Sequence, residues 1–336
     1  MSMSRIAAIS YHLPEKVLTN DELATLYPRW TAEKIFENTG IRERRVSGDG
    51  ETACDLAERA AKKLFVEYGV VPASVDFVLL GTQSPDYFLP TTACLLQDRL
   101  GIPTAAGALD FNLGCSAFIY GLSLAKGLIA SGTAKQVLLI TSETYTKYVH
   151  PMDKSVRIIF GDGAAATLVS AADTDGIGRF VLGTDGRGYD RLIVPSGGLR
   201  VCRSTETALE ATDDSGNTRS RDHLFMDGAE IVNFTISTVP RLVDEALEKN
   251  GVSKAEIDLF VFHQAGKFVL DVLCKKCGIS PAKFYMNFAD CGNTVSASIP
   301  IALARAVEAG ALKRGMTVML VGFGVGLSWG AVVLRW

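Results

Sequence analysis

One stretch of this chain occurs twice. Gly69-Val-Val-Pro-Ala-Ser-Val-Asp-Phe-Val-Leu-Leu-Gly81 is matched without gaps by Gly251-Val-Ser-Lys-Ala-Glu-Ile-Asp-Leu-Phe-Val-Phe-His263, 182 residues further on. Each copy follows a helix-like stretch, ACDLAERAAKKLFVEY and then VPRLVDEALEKN, and each sets an Asp just before an apolar run as long as a buried strand. The order of elements then repeats. After the first copy come a helix near TTACLLQDRLG, the strand AGALDFN, a helix from Cys115 and the strands QVLLITS and AAATLVS. After the second come a helix near KFVLDVLCKKCG, the strand KFYMNFA, a helix from Thr294 and the strands TVMLVGF and AVVLRW. Strands alternating with helices predict mostly parallel sheets with covered faces. The duplicated order predicts an α/β protein of two pseudo-symmetric halves, residues 1–171 and 172–336.

Bulk properties narrow the field. A chain that is 48% hydrophobic and 21% charged has the makings of a large core. Its formal net charge of −3 argues against a nucleic-acid partner. The seven cysteines form no disulfide framework and suit a reducing, cytoplasmic setting. MSMSRIAAISYHLPEK lacks the apolar core of a signal peptide. Met316 to Leu334 carries no charge and is long enough to cross a bilayer, but Gly322, Gly324, Gly326 and Gly330 interrupt it. It reads instead as two buried strands around a glycine-rich turn, so no membrane span is expected. The polar stretch 196–222 reads as a surface insertion.

Parallel α/β sheets place reactive groups at strand carboxyl ends and at the helix N-termini that follow. Cys115 follows the strand ending DFNLG and opens a helix, where the backbone dipole favours a thiolate. Most free cysteines are small buried hydrophobes, and the other six lack this placement. Cys274 and Cys277 form a lone CxxC without a second pair or nearby His, so no metal site is expected. His263 ends the apolar run IDLFVFH, and Asn293 opens the helix that corresponds to that of Cys115. A buried histidine and an Asn helix cap are the ordinary readings of each. Their joint placement at equivalent strand ends favours a shared site. The loop Gly322–Gly330 lies at another strand end, and its N–H groups, with that of Cys115, suit an oxyanion hole.

With these residues in hand, the chain resembles a β-ketoacyl-acyl carrier protein synthase III of the thiolase superfamily along nearly its whole length. The resemblance rests on Thr39-Gly-Ile-Arg-Glu-Arg-Arg45, the Cys115 helix, Ile158-Ile-Phe-Gly-Asp-Gly-Ala164, His263-Gln-Ala265, Gly292-Asn-Thr294, Ala297-Ser-Ile-Pro300 and the terminal GFGVGLSWGAVVLRW. It implies a thiolase-like fold layered α-β-α-β-α and a Cys115-His263-Asn293 triad. It implies an oxyanion hole from the N–H groups of Cys115 and Val325, and no cofactor. It also implies acyl-CoA and acyl carrier protein as partners and a homodimer in which Leu89 lines the partner's acyl pocket. The reaction implied is acylation of Cys115 followed by decarboxylative Claisen condensation with a malonyl thioester. Lys34 and Lys154 stand where the family has a tryptophan and an arginine around the coenzyme A adenine. After Gln264, Gly266, Lys267 and Phe268 replace the usual asparagine, leucine and arginine, and Val325 replaces a glycine. Lys34, Lys154, Gln264 and Lys267 are therefore the candidate coenzyme or carrier contacts. The departures point to a specialised synthase of secondary metabolism or surface-glycolipid assembly. Two alternatives stay open on the sequence: non-condensing acyl transfer to oxygen or nitrogen, and a non-catalytic partner subunit. A hydroxymethylglutaryl synthase-like activity, needing a glutamate base where this chain has Gln83-Ser-Pro-Asp86, ranks below the first of these.

Overall fold

The computed structural model describes residues 3–336 and contains two five-stranded sheets. The first is built from β1 (Met3–His12), β2 (Phe77–Gly81), β3 (Gly107–Phe111), β4 (Gln136–Glu143) and β5 (Gly163–Ala172), in the spatial order β1-β5-β4-β2-β3. The second is built from β6 (Val181–Thr184), β7 (Leu259–Phe262), β8 (Phe284–Tyr285), β9 (Thr317–Gly324) and β10 (Ser328–Arg335), in the order β6-β10-β9-β7-β8. The two orders are one permutation, which is the sequence duplication in three dimensions. In each sheet three strands are parallel, β4-β2-β3 and β9-β7-β8, while β5 and β1, or β10 and β6, add antiparallel pairings. The sheets are thus mixed. β9 turns straight back into β10, so the glycine-rich segment Val325–Leu327 makes a hairpin rather than a crossover.

The repeated residues have repeated jobs. Asp76 Oδ2 accepts the N–H groups of Lys135 and Gln136 at 2.7 and 2.9 Å, and Asp258 Oδ2 accepts that of Thr317 at 2.8 Å. Each carboxylate ties the start of one parallel strand to its neighbour. The helices that precede them, α1 (Ala53–Tyr68) and later α4 (Gly228–Asn250), both end on a glycine in the left-handed region, Gly69 at φ +64° and Gly251 at φ +65°.

Burial divides the helices into layers. α2 (Thr92–Arg99) joins α1 on the outer face of the first sheet, where Leu56, Leu64 and Leu96 pack on Val78, Leu80 and Ile140. α5 (Lys267–Lys276) joins α4 on the outer face of the second, where Leu242, Leu270 and Leu273 meet Phe260, Phe262 and Met319. Between the sheets lie α3 (Ala117–Ala130) and α6 (Ser298–Glu308). Phe118, Ile119, Leu122, Ile299 and Leu303 share one core with Leu79 and Leu139 of the first sheet and Val261 and Leu320 of the second. Successive strand residues face opposite layers, which is why the runs are apolar throughout rather than alternating. Each buried side chain of this size stabilises the fold by roughly 1.5–3 kcal/mol.

Three boundaries differ from the sequence reading. α3 begins at Ala117, with Cys115 in the preceding turn. The helix expected from Thr294 is a 3-10 turn, Val295–Ala297, before α6. The strand read as KFYMNFA is paired only at Phe284 and Tyr285, because Asn287 N donates to the side chain of Gln264 at 2.8 Å. The insertion forms a small hairpin, Ala211–Thr212 with Thr218–Arg219. Among the described residues no helix is long and apolar enough to cross a membrane.

The two halves meet closely where Phe160 bridges Asn293. Gly161 N donates to Asn293 O at 3.0 Å, and a Cβ on Gly161 would lie 2.1 Å from Cys291 O. Backbone faces backbone here, so neither side yields cheaply. Gly161→Ala is expected to lower the unfolding free energy by about 3 kcal/mol, measured by urea denaturation; a change below about 0.5 kcal/mol would contradict this contact.

Candidate active site

Cys115 sits in the turn between β3 and α3, buried, and directly under the end of β9. A Cβ on Gly324 would lie 2.8 Å from both Cβ and Sγ of Cys115, and one on Gly322 would lie 2.9 Å from Cys115 O. Only glycine lets that strand pass so near the Cys115 sulfur. Burial pushes the thiol up to about 12; the N–H groups of Val325 and of Cys115 itself act on the sulfur in the opposite sense, and the nearby Glu143 adds to the upward shift. Placement at a helix start favours a thiolate, but at this depth burial outweighs it.

His263 follows β7, its N–H donating to Val321 O at 2.8 Å. Burial pulls its imidazole down to about 3, so the ring is neutral. Nδ1 lies 2.7 Å from Ser298 Oγ, and Nε2 faces Asn293 Nδ2 at 3.5 Å. Asn293 is fixed by three bonds. Its N–H donates to Ile159 O at 3.0 Å, its carbonyl accepts from Gly161, and its Oδ1 accepts from Val295 N at 2.9 Å. The last bond uses the carboxamide oxygen and leaves the amide hydrogens as the free end. Val295 makes it from φ +52°, a conformation that β-branched residues avoid.

Cys115, His263 and Asn293 line one cavity of about 230 Å³. Its lining is mostly apolar, with Phe160, Leu192, Met226 and Phe323 near the triad. Asn38, Gly228 and Phe268 are both lining and exposed, and mark its mouth between the helix Ala32–Thr39, the start of α4 and the start of α5.

The other expected site residues are placed differently. Val325 presents its N–H to the Cys115 sulfur. Leu89 lies off the cavity and is 83% exposed, beside Phe88 and Tyr87, which are also exposed. Lys34 Nζ rests 4.9 Å above the Trp30 ring. Lys154 Nζ is bonded to Ser215 O and, at 3.0 Å, to Asn217 Oδ1, which fastens the insertion hairpin. Gln264 is buried, with Nε2 on Phe262 O at 2.6 Å and Oε1 on Asn287 N. Lys267 pairs with Asp271 on the surface of α5. None of these four polar residues lines the cavity. Asp86 accepts from Thr52 Oγ1 at 3.0 Å and Cys54 N at 3.2 Å, closing the start of α1, and so is engaged structurally. Cys274 donates to Ile279 O at 3.2 Å within the outer core. Among the described residues no cluster of three or more His, Cys, Asp or Glu is placed to hold a metal.

Two residues near the site escaped the sequence reading. Ser298 lies in the Ala297–Pro300 motif, but nothing in the spacing joins it to His263. Glu143 ends β4, where it accepts from Gln83 N, from Ser84 Oγ at 3.0 Å and from Ser296 Oγ at 2.8 Å. Burial pushes its carboxyl up to about 8 against the pull of those donors. An isolated Glu at a strand end gives no hint of that bridge between halves.

Two duplicated α/β halves, with a cysteine, a histidine and an asparagine on one apolar cavity, define a thiolase-like condensing enzyme. The sequence matches the family 3-oxoacyl-[acyl-carrier-protein (ACP)] synthase III over residues 109–186 and that family's C-terminal part over 247–336. The β-ketoacyl-[acyl-carrier-protein] synthase III of Methylococcus capsulatus is 38% identical over 333 residues, covering 99% of each chain. A crystal structure of a 3-oxoacyl-(acyl-carrier-protein) synthase III is 55% identical, with TM-score 0.98 over 99% of this chain and 100% of that one. The priming β-ketosynthase of the R1128 polyketide biosynthetic pathway is 32% identical, with TM-score 0.87 over 99% and 96%. The chain belongs to the 3-oxoacyl-[acyl-carrier-protein] synthase III family. It is an acyltransferase that condenses acyl thioesters, with loss of carbon dioxide, to β-ketoacyl products.

The raised thiol gives a direct test. Below its pKa the reactive thiolate fraction grows about tenfold per pH unit. Iodoacetamide modification of Cys115 is expected to accelerate steadily from about pH 7 to about pH 10 without a plateau; a plateau below about pH 8 would mean a stabilised thiolate.

Proposed function

We propose that Cys115 carries the acyl group and that His263 and Asn293 serve the condensation that follows. The observation that carries this reading is the convergence of two pairs of donors on one cavity. The N–H groups of Val325 and Cys115 meet at the sulfur, and Asn293 Nδ2 and His263 Nε2 face each other at 3.5 Å. Cys115 attacks the thioester of an acyl-CoA or acyl-carrier donor, and the first pair holds the oxygen of the tetrahedral intermediate. A malonyl thioester then enters, and its carbonyl oxygen accepts from the second pair. Carbon dioxide leaves, the negative charge collects on that oxygen, and the α-carbon attacks the acyl-cysteine. Neither step calls on a metal or redox group.

The donor and carrier are read as unusual ones. Lys154 is engaged by the insertion, Lys34 by Trp30 and Lys267 by Asp271, while exposed Phe268 occupies the mouth. That mouth has little to hold an adenine or an acidic carrier in the family's usual way, which supports a specialised synthase of secondary metabolism or glycolipid assembly. A homodimer accounts for the exposed run Tyr87-Phe88-Leu89 and for the open edge of β3, where Leu109 is also exposed. Leu89 then reaches the partner's acyl pocket. Free thiols throughout suit the cytoplasm.

Intact-protein mass after exposure to a panel of acyl-CoAs tests the first half-reaction: the adduct is expected on Cys115 and absent from Cys115→Ala. Asn293→Ala is expected to keep the adduct and to lose condensation by about 100-fold or more, the loss seen when one oxyanion donor is removed. Kinetics with the same panel test the specialisation; clear preference for acetyl-CoA with malonyl carrier protein would overturn it.

A further inference from the structure

We propose that Ser298 is a positioning residue that fixes His263 as its Nε2–H tautomer, committing the imidazole to hydrogen-bond donation in condensation; this rests on the role given to His263 above. The argument is a count of protons. Ser298 Oγ lies 2.7 Å from His263 Nδ1 and accepts the N–H of Gln264 at 3.4 Å. With Gln264 already donating to the oxygen, the hydroxyl proton is free to point at Nδ1. Were Nδ1 the protonated nitrogen, Oγ would receive two donors and its own proton would need a third partner. Among the described residues Ser298 Oγ has no third partner, and the side chain is buried. An unmatched buried hydroxyl costs about 1–3 kcal/mol, so the hydroxyl selects Nε2–H.

The far side of the ring offers the competing arrangement, and a weaker one. Asn293 Oδ1 is held by Val295 N–H, so the carboxamide turns its NH₂ toward Nε2. A bare Nε2 could accept from that NH₂ only across 3.5 Å, the outer limit of a hydrogen bond, against 2.7 Å at Nδ1. Protonated, Nε2 gives the cavity a second donor beside Nδ2, and a thioester oxygen can accept from both. Burial keeps the ring neutral, so only one of its nitrogens carries hydrogen and the choice between them decides what the ring can do.

The chemistry balances on this assignment. In condensation the bond from the α-carbon to the carboxylate breaks, its electron pair passes to the enolate, and carbon dioxide departs. The enolate oxygen is held by Nε2–H and Nδ2–H without proton transfer. The α-carbon bonds to the acyl carbon, the acyl–sulfur bond breaks, and the Cys115 thiolate takes a proton from water. In acylation Nε2 has no lone pair to offer, so the imidazole is not the base. The Cys115 sulfur replaces the departing thiolate at the acyl carbon, and the Cys115 proton leaves with that thiol.

The test measures the two half-reactions separately in full-length Ser298→Ala and Ser298→Thr. Acylation is followed by intact-protein mass, and condensation by carbon dioxide release from a malonyl thioester on pre-acylated enzyme. Ser298→Ala is expected to lose condensation by at least about tenfold, the equivalent of one lost hydrogen bond, with acylation changed less than about twofold. Ser298→Thr, which keeps the hydroxyl, restores condensation. In ¹⁵N-labelled wild-type enzyme the imidazole shows hydrogen on Nε2, and in Ser298→Ala it shows a mixture. Because the two rates are compared within one folded sample, a fall in folded fraction cancels; if Ser298→Ala does not fold, Ser298→Cys, with its weaker donor, gives the same comparison. Equal loss in both half-reactions, unchanged condensation in Ser298→Ala, or hydrogen on Nδ1 in the wild type overturns the proposal. His263→Ala separates the two levels: normal condensation there overturns the role of His263 itself, whereas its loss beside an unaffected Ser298→Ala overturns only the part given to Ser298.

Discussion

The site depends on how closely β9 crosses the turn that holds Cys115. No side chain stands between them, because Gly322 and Gly324 face the backbone and sulfur of that turn at van der Waals limits. The crossing delivers the Val325 N–H to the sulfur, and it exists only because the two halves stack with their strand carboxyl ends at a common level. The Gly161–Asn293 bond and the bridge from Glu143 to Ser296 hold the same seam from the other side. Packing of the middle layer sets the distance between the sheets, and these contacts convert that distance into a site.

Burial gives that site its electrical character. The thiol, the imidazole and the nearby carboxyl of Glu143 are all moved toward their uncharged forms, and among the described residues no lysine or arginine lines the cavity. The site thus offers fixed hydrogen-bond donors rather than a standing ion pair. Such donors need rigid mounts, and they have them. Val295 is held in a costly conformation, Asn293 is bonded through its backbone on both sides, and Ser298 stands at the first residue of a helix.

Much of this was legible in the chain. The duplicated Asp-plus-apolar-run stretches gave the matching strand order, since an Asp and a short apolar run are local signals. The junction positions of Cys115, His263 and Asn293 followed from the same order. The boundaries were less legible. The second strand of the second half is short because a distant side chain, that of Gln264, takes its next N–H. For Cys115 the helix start is visible in sequence, whereas the depth of burial that pushes its thiol upward is not. Lys154 is a candidate ligand contact on the sequence, and what the sequence does not show is that its ammonium bonds a hairpin more than sixty positions along the chain. Ser298 and Glu143 matter through partners that sequence distance conceals.

α3 and α6 bury one face on each sheet, so each belongs to both halves at once. Remove either half and the helices of the other keep a bare apolar flank along their whole length. The duplication therefore did not yield two domains joined by a hinge, able to open around a substrate. It yielded two halves around one shared core. The segments rimming the mouth, the helix Ala32–Thr39 and the first turns of α4 and α5, lie outside that shared core, so the entrance can yield without the halves parting.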